Sequence, residues 1–294
     1  MADTNRSEQG IFPDVVEVPE RLDEQHIFTT KTLGFLIHPN IPSPRPNAKI
    51  ADIGTGTGIW LFDVAESLPP TCQFTGFDAT SSSFPSPDSL PPNVTFKLQD
   101  MHRPFPESEI GTYDIVAVRF VSSATPRTEW TETIKNLMTL LKPGGWLQWI
   151  DSCNFALYNS IPGTPRRACQ EIYDGLEPFR RGQDPVIGLM MRDGRRVNRE
   201  EIWRELGLVD VHEDVFSTDR LQEPELRLRE KGTRNMIVCF AQCLESLVGV
   251  EGNGWTKERV RRLEEEAMKE IENGVYCTLD QVCIVGRKAG DQGN

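Results

Sequence analysis

The stretch IADIGTGTGIW, which begins at Ile50, contains the residues whose types and spacing most clearly indicate chemistry. Within it, an aspartate precedes three glycines at every second position: Asp52, Gly54, Gly56 and Gly58. The residues before the glycines form a short apolar run and those after them have helical spacing, which predicts a strand, a loop and a helix. Glycine has no Cβ, so the backbone N–H groups of such a loop can lie close to a ligand.

Two classes of ligand bind a loop of this kind, dinucleotides and S-adenosylmethionine. The dinucleotide pattern GxGxxG, placed on Gly54 and Gly56, requires a glycine at position 59, where this chain has Ile59. Asp52 would repel a pyrophosphate, whereas it would attract the cationic amino-acid part of S-adenosylmethionine. The loop therefore favours S-adenosylmethionine, and a nicotinamide-dependent reductase is the disfavoured alternative.

Acidic residues also follow the next two predicted strands. Asp78 ends the second strand, 20 residues beyond Gly58, where a carboxylate can accept hydrogen bonds from both ribose hydroxyls. Asp100 and Met101 end the third strand, where the acid can accept from an adenine amino group while the apolar thioether packs against the ring. The alternative interpretation of both acids is a turn residue that follows a strand.

An alternation of strands and helices must position these side chains. Apolar runs predict five strands, at residues 49–53, 73–78, 94–100, 113–120 and 146–151. Helical spacing predicts helices at 19–38, after Gly58 and at 130–141. This alternation indicates an α/β protein with a doubly wound, mostly parallel sheet. Arg119 and Phe120 end the fourth strand and should point into the cleft at the carboxyl ends of the strands.

The second half of the chain is less regular. Its patterns predict a helix through 202–206, a strand at 208–216, helices at 235–250 and 255–273, and one or two strands at 275–288. We expect one domain over residues 1–294, with a helical lid segment at 1–48, a cofactor-binding core at 49–151 and a helical insertion at 218–274 that caps the active site. Substrate specificity should depend on residues 1–40, 152–195 and 218–274.

Composition limits the possible partners of the protein. The 294 residues carry a net charge of -12, with 38% hydrophobic residues, as in an ordinary soluble globular protein. An acidic chain is a poor partner for nucleic acid or an anionic membrane, because phosphate binding needs a basic face. Seven scattered cysteines without a visible export signal favour reduced thiols and a cytoplasmic location. An apolar helix in the insertion makes a homodimer conceivable.

Five motifs, in this order and spacing, resemble those of class I S-adenosylmethionine-dependent methyltransferases: DIGTGTGIW, GFDA, LQDM, YDIVAVRF and LLKPGGWLQW. The resemblance covers about residues 49–151 and continues weakly to 288. The GTGTGIW form, the Pro/Ser loop at 80–93 and the LKPGGWLQW ending are more narrowly similar to fungal secondary-metabolism methyltransferases. That group includes the gliotoxin-pathway N-methyltransferase and relatives of a global regulator of secondary metabolism. The resemblance implies a seven-stranded Rossmann-like sheet, with the antiparallel last strand at VCIVGRK.

The resemblance also implies a cofactor, S-adenosylmethionine, and a small-molecule substrate that is methylated on oxygen or nitrogen. The residues implied to hold the methionine part are Asp52, Gly54, Thr55, Gly56 and Gly58. Those implied at the ribose and the adenine are Asp78, Ala79, Asp100 and Met101. Those implied beside the donor and the acceptor are Arg119 and Phe120.

The sequence does not indicate which residue acts as a general base. The candidates are Asp151 after the fifth strand, His26 in the N-terminal helix and His102 after the adenine motif. No spacing typical of a metal site is present in the sequence, so we expect no metal ion. Two alternatives stay open: a protein that binds S-adenosylmethionine but catalyses a non-methylating step, such as a pericyclic reaction, and a regulatory protein that acts through partners.

Overall fold

A computed structural model describes most of the chain: residues 19–121, 125, 130–183, 191–192, 195–196, 199–222, 228–250 and 254–290. The prediction for the first 18 residues of the lid segment lies outside the described residues, as do parts of 152–195 and 218–274. Within the described residues, the helices are all too short or too polar to cross a membrane.

The chain alternates strands and helices over its first half. The strands are β1 (Lys49–Ile53), β2 (Gln73–Asp78), β3 (Val94–Leu98), β4 (Tyr113–Arg119), β5 (Leu141–Asn159), β6 (Met191–Arg192), β7 (Arg195–Arg196), β8 (Leu208–Ser217) and β9 (Val275–Lys288). The α-helices are α1 (Pro19–Leu33), α2 (Ile59–Ser67), α3 (Trp130–Leu140), α4 (Arg167–Gln183), α5 (Arg199–Glu205), α6 (Leu228–Ser246) and α7 (Lys257–Glu272). Short 3₁₀ turns lie at Pro87–Ser89, Glu107–Glu109 and Thr218–Arg220.

The main sheet has seven strands in the order β3-β2-β1-β4-β5-β9-β8. Neighbouring strands from β3 to β5 are parallel, and β9 runs antiparallel between β5 and β8. The predicted doubly wound, seven-stranded sheet is therefore confirmed, including its antiparallel last strand. The strand order reverses between β1 and β4, so the loops after these two strands diverge and leave a crevice at their carboxyl ends.

Both faces of the central strands are covered, as their continuous apolar sequences predict. On one face, Ile50 and Ile115 pack in a cluster that also contains Trp60. On the other face, the adjacent residues Ala51 and Val116 join a cluster built on α3. The region that holds the glycine loop is therefore anchored in two cores, one on each side of the sheet.

A third cluster joins α4, α6 and α7 to the outer halves of β5 and β9. Helix α4 is absent from the sequence predictions, and the outer half of β5 also differs from them. The fifth strand continues past residue 151 to Asn159, because its extension pairs with β9 from Phe155↔Leu279 to Asn159↔Val275. Residues 275–288, predicted as one or two strands, form one strand, and its first half packs in the cluster with the three helices.

The helix boundaries also differ from the sequence predictions. Helix α1 ends at Leu33 rather than at residue 38, because Gly34 has a left-handed φ of 85° and its N–H bonds to the carbonyl of Thr30 at 2.8 Å. Helix α6 begins at Leu228 rather than at residue 235. The first turns of α6 contact α1 and line a cleft.

Gly175 of α4 packs closely against Trp255 in the helical layer. A Cβ at this position would lie 2.4 Å from Cζ2 of the Trp255 indole. We expect Gly175→Ala to lower the free energy of unfolding by about 1–3 kcal/mol, because overpacking exceeds the gain of about 1 kcal/mol in helix propensity. Chemical denaturation would measure it. Gly290→Ala, where a Cβ would meet open space, is the control, and equal effects of the two would contradict the prediction.

Candidate functional site

The glycine loop is held against the ends of β1 and β2. The N–H groups of Gly54 and Thr55 both donate to the carbonyl of Phe77, at 2.9 and 3.0 Å. Gly58 has a φ of 77°, and a Cβ there would lie 2.3 Å from the ring of Phe96. Glycine is therefore required at this turn for both conformation and space. The loop brings the N-terminus of α2 to the carboxyl end of the sheet.

Asp52 and Arg119 form a buried ion pair beside this loop. Asp52 is fully buried at β1, and its Oδ2 accepts a hydrogen bond from the Thr55 hydroxyl at 2.9 Å. Its Oδ1 lies 4.0 Å from Nε of Arg119. Within the described part of the chain, both of these atoms lack a hydrogen-bond partner. Burial raises the pKa of Asp52 to about 6, and burial also lowers the pKa of the Arg119 guanidinium.

This pair can bind a ligand that carries both charges. Buried polar atoms without hydrogen bonds cost free energy, and charged ones cost more. An α-amino acid group offers an ammonium for Asp52 and a carboxylate for Arg119, so it would satisfy both unpartnered atoms. The charges of the pair therefore match those of the amino-acid part of S-adenosylmethionine, which the sequence predicts at Asp52.

His26 connects the lid helix to the ion pair. Its Nδ1 lies 3.1 Å from Nη1 of Arg119, and its Nε2 lies 2.8 Å from Oδ2 of Asp63. Arginine can only donate, so Nδ1 accepts and the proton of neutral His26 sits on Nε2, which donates to Asp63. Burial, followed by the charge of Arg119, lowers the pKa of His26. Both ring nitrogens are engaged, which leaves His26 a positioning role in this conformation.

Other contacts seat α1 over the glycine loop. The Thr57 hydroxyl donates to Oδ1 of Asp23 at 2.7 Å. A Cβ at Gly56 would lie 3.0 Å from Cδ1 of Leu22, so the helix lies directly against the loop. These two contacts tie the helix of the predicted lid segment to the glycine loop.

The residues implied at the ribose and adenine lie on the β2 and β3 side of the loop. Oδ2 of Asp78 accepts from the N–H of Gly56 at 2.9 Å, and its Oδ1 accepts from the N–H of Thr80 at 3.1 Å. Each carboxylate oxygen has a further lone pair, so Asp78 can still accept from a ribose hydroxyl. Ala79, next in the chain, is exposed. Asp78 is thereby oriented by the loop itself.

Asp100 and Met101 differ in their exposure. The Asp100 side chain is 43% exposed, and its Oδ1 accepts from the backbone N–H of His102 at 2.9 Å. Met101 is buried in the cluster that contains Phe77. Asp100 is thus oriented by a hydrogen bond and accessible to solvent, whereas the Met101 thioether is part of the buried core next to it.

Phe120 lies where β4 ends, in a backbone conformation that is unusual for its type. Its φ is +53°, and its N–H donates to the carbonyl of Ile150 at 3.0 Å. A left-handed bulky residue stores strain and persists where its surroundings hold it, commonly at functional sites. Phe120 lines an open cleft between α1, α6 and β9.

The other two candidate bases lie outside this cleft. Asp151 is 2% exposed; its Oδ1 accepts from the N–H of Ser152 at 2.9 Å and its Oδ2 from the indole of Trp149 at 3.4 Å. Nδ1 of His102 lies 3.0 Å from the Thr133 hydroxyl. Among the described residues, the cleft lining includes none of Asp151, His102 and His26. The assignment of a base stays a prediction.

One cluster in the described residues has the side chains of a metal site: His38, His212 and Asp214. Nδ1 of His38 accepts from the N–H of Asn40 at 3.1 Å, so its Nε2 carries the proton and donates to Asp214 at 2.9 Å. A protonated Nε2 cannot bind a metal ion at the same time. The cluster is a hydrogen-bonded link between the segment after α1 and β8.

Sequence comparison places the central part of the chain among known proteins. A family model described as a methyltransferase domain matches residues 51–147. The N-methyltransferase tcpN of Claviceps purpurea is 31% identical over 208 residues, which are 67% of each chain. The methyltransferase grgD of a Penicillium species is 28% identical over 280 residues, 91% of this chain and 92% of the relative. Among solved structures, Haemonchus contortus phosphoethanolamine N-methyltransferase 2 in complex with S-adenosyl-L-methionine is 14% identical, with a TM-score of 0.48. The superposition covers 95% of this chain and 55% of the Haemonchus chain.

The histidine bridge makes a testable contribution to stability. His26→Phe removes both hydrogen bonds of the ring, so we expect a loss of about 1–3 kcal/mol in the free energy of unfolding at pH 7.5. The lowered pKa means that the folded state disfavours a proton on His26, so the contribution of the bridge is lost as pH falls below about 6.5. The loss caused by the substitution should therefore shrink at pH 5.5. Denaturant titrations at both pH values would measure it.

Thr57→Val is the matched control for this comparison. It removes another hydrogen bond that ties α1 to the loop, but the lost hydroxyl does not titrate in this range. Its effect should be the same at both pH values. A pH-independent effect of His26→Phe would contradict the assigned tautomer and charge state.

Proposed function

We propose, since the chain belongs to the S-adenosylmethionine-dependent methyltransferases, that it methylates a nitrogen atom of a small molecule in fungal secondary metabolism. Three relatives from Claviceps purpurea, Leptosphaeria maculans and Clonostachys rogersoniana are named N-methyltransferases, which favours nitrogen over oxygen as the acceptor atom. The observation that carries the proposal is the buried pair of unpartnered atoms, Oδ1 of Asp52 and Nε of Arg119, beside a glycine loop.

The cradle for the cofactor follows from these contacts. Asp52 would hold the ammonium and Arg119 the carboxylate of the methionine part. The backbone of the loop would lie against that part, at Gly54, Thr55, Gly56 and Gly58. The residues proposed for the nucleoside are Asp78, Ala79, Asp100 and Met101. Phe120 follows Arg119 directly and lines the cleft, so the acceptor would enter from the side of α6.

When bound, S-adenosylmethionine supplies a methyl group on a positively charged sulfur, which departs as a neutral thioether. The protein must then align the acceptor nitrogen with that methyl group and exclude water, and such positioning can supply about 7–11 kcal/mol. Helix α1 covers the loop through Asp23, Leu22 and His26, which limits access of water from that side. A neutral amine with a free lone pair needs no base before transfer, which agrees with a cleft whose described lining lacks the three candidate bases.

Cofactor affinity should depend on the charge of Asp52. In the cofactor-free protein the pKa of Asp52 is about 6. Pairing with the ammonium favours the ionised carboxylate, so cofactor binding near or below pH 6 releases a proton from Asp52. We expect the affinity for S-adenosylmethionine to fall by up to about tenfold per pH unit below pH 6. Isothermal titration calorimetry between pH 5 and 7.5 would measure this. Asp52→Asn should bind at least about tenfold more weakly and without this pH dependence.

A nucleoside fragment separates the roles of the two acids. Asp78→Ala should weaken binding of both S-adenosylmethionine and 5′-methylthioadenosine, because both contain the ribose. Asp52→Asn should weaken binding of S-adenosylmethionine alone, because 5′-methylthioadenosine has no amino-acid group. Asp88→Asn, on the exposed 80–93 loop, is the control and should change neither. Equal effects of Asp52→Asn on both ligands would remove the ammonium assignment.

Turnover tests the proposed function as a whole. The protein would be incubated with methyl-labelled S-adenosylmethionine and fractionated fungal extracts, and labelled products would be identified by mass spectrometry. Label attached to nitrogen supports the proposal. Cofactor binding without transfer to any fraction would favour a non-methylating step, and binding of NADPH in place of S-adenosylmethionine would overturn the proposal.

A further inference from the structure

Two glutamine side chains are fully buried on adjacent strands, and they differ in how their amides are bonded. Gln148 of β5 has both ends occupied: its Oε1 accepts from the N–H of His38 at 2.7 Å and its Nε2 donates to the carbonyl of Leu36 at 3.0 Å. Gln281 of β9 donates from Nε2 to the Thr29 hydroxyl at 3.4 Å. Its Oε1 lacks a hydrogen-bond partner among the described residues. Both polar atoms of the Gln148 amide are thus hydrogen-bonded, whereas the Gln281 amide has a hydrogen bond at Nε2 and none to a described residue at Oε1.

Gln281 is one of the residues that line the same cleft as Phe120. On β5, the register shifts between Ser152 and Asn154, directly opposite Gln281 and Asp280. Such bulges re-aim side chains and are frequent beside active sites. A buried amide oxygen without a donor costs free energy, so a ligand that brings a donor is favoured at this position.

The rest of the cleft defines what such a ligand must be. Its walls include the rings of Phe28 and Phe120 and the apolar side chains of Met236 and Leu279. Its mouth carries opposite charges that pair with each other, Lys231 and Glu24, with Nζ 3.4 Å from Oε1. The cleft fits an uncharged, largely apolar or aromatic molecule with one donor directed at Gln281.

We propose that Gln281 recognises and orients the methyl acceptor, and that the acceptor is a neutral, aromatic or apolar amine whose N–H donates to its Oε1. This inference rests on the proposed function, and Thr29 supports it by holding Nε2 so that the oxygen is left for the ligand. With the N–H fixed on Gln281, the direction of the nitrogen lone pair is fixed as well. The amide thereby sets which atom faces the methyl group.

The methylation step is balanced without a further reactant. The nitrogen lone pair forms the new N–C bond as the C–S bond breaks, and the electron pair of that bond stays on sulfur, which becomes neutral. The positive charge moves to nitrogen, which keeps the hydrogen that Gln281 accepts. The product then gives this proton to water when it leaves the cleft.

A matched pair of probes tests the role of the N–H. N-methylaniline and N,N-dimethylaniline are both aromatic and uncharged at pH 7.5, and they differ by one N–H. Ligand-observed NMR titrations would measure their affinities for the protein, with and without S-adenosylhomocysteine. We expect the wild-type protein to prefer N-methylaniline by about fivefold, as one hydrogen bond provides.

Substitutions then assign the preference to Gln281. Gln281→Met removes the oxygen at similar length and should abolish the preference while the protein stays folded, because an unsatisfied buried polar atom is lost. Gln281→Glu keeps an acceptor and should retain the preference. Gln242→Met is the matched control, since Oε1 of Gln242 is also buried without a described partner, but Gln242 is outside the cleft lining; it should behave as wild type.

The outcomes separate this inference from the proposed function. Absence of a preference in the wild type, absence of binding by both probes, or a preference that survives in Gln281→Met would overturn the role of Gln281. Failure of S-adenosylhomocysteine to bind, measured in the same samples by calorimetry, would instead overturn the proposed function. A preference for N,N-dimethylaniline that disappears in Gln281→Met would show that the amide presents its N–H groups to the ligand, and it would overturn the proposed acceptor class.

Discussion

The buried ion pair of Asp52 and Arg119 is the constraint on which the site depends. Desolvation of two charges is costly, and at 4.0 Å, with Oδ1 and Nε unpartnered in the described chain, their mutual attraction offsets it incompletely. The pair joins β1 to β4 across the point where the strand order reverses. Through His26 it also reaches α1 and Asp63 of α2, so four elements are positioned around one pair of charges.

A pair of this kind is better explained by function than by stability. Apolar residues of similar volume at the same positions would avoid the desolvation cost. The surroundings of the pair do little to reduce it: Thr55 occupies one oxygen of Asp52, and His26, itself held neutral, occupies one nitrogen of Arg119. One acceptor, Oδ1 of Asp52, and one donor, Nε of Arg119, therefore have no hydrogen-bond partner in the described chain. In the proposed function a zwitterionic ligand would complete that arrangement, and the cost in the free protein would then be offset when the cofactor binds.

The sequence revealed what local patterns encode. Parallel strands buried on both faces are short apolar runs, and the strands β1 to β4 were predicted within two residues. Helix α4 was missed because its sequence, RACQEIYDGLEPFRRGQ, is largely polar. Its few apolar residues are recognisable as a buried face only once they pack against Leu244 and Trp255. The outer half of β5 was missed because its length follows from pairing with β9, more than 100 residues later. Asp151 looked suitable as a base by position, but packing around Trp149 buries it.

Gln281 shows most clearly what the sequence alone does not predict. Its position also shows which segments of the chain line the cleft. Both buried glutamines interrupt apolar strand sequences in the same way, so only the placement of Leu36, His38 and Thr29 distinguishes the fully hydrogen-bonded amide from the other. The family model covers residues 51–147, which include the glycine loop and the ion pair. Of the cleft lining, Phe120 alone falls within that range; the other lining residues come from α1, α6 and β9. The proposed cofactor site thus lies within the part of the chain that the family model matches. The proposed acceptor cleft is lined mainly by segments outside that range, so substitutions there would alter the cleft and leave the ion pair and the loop in place.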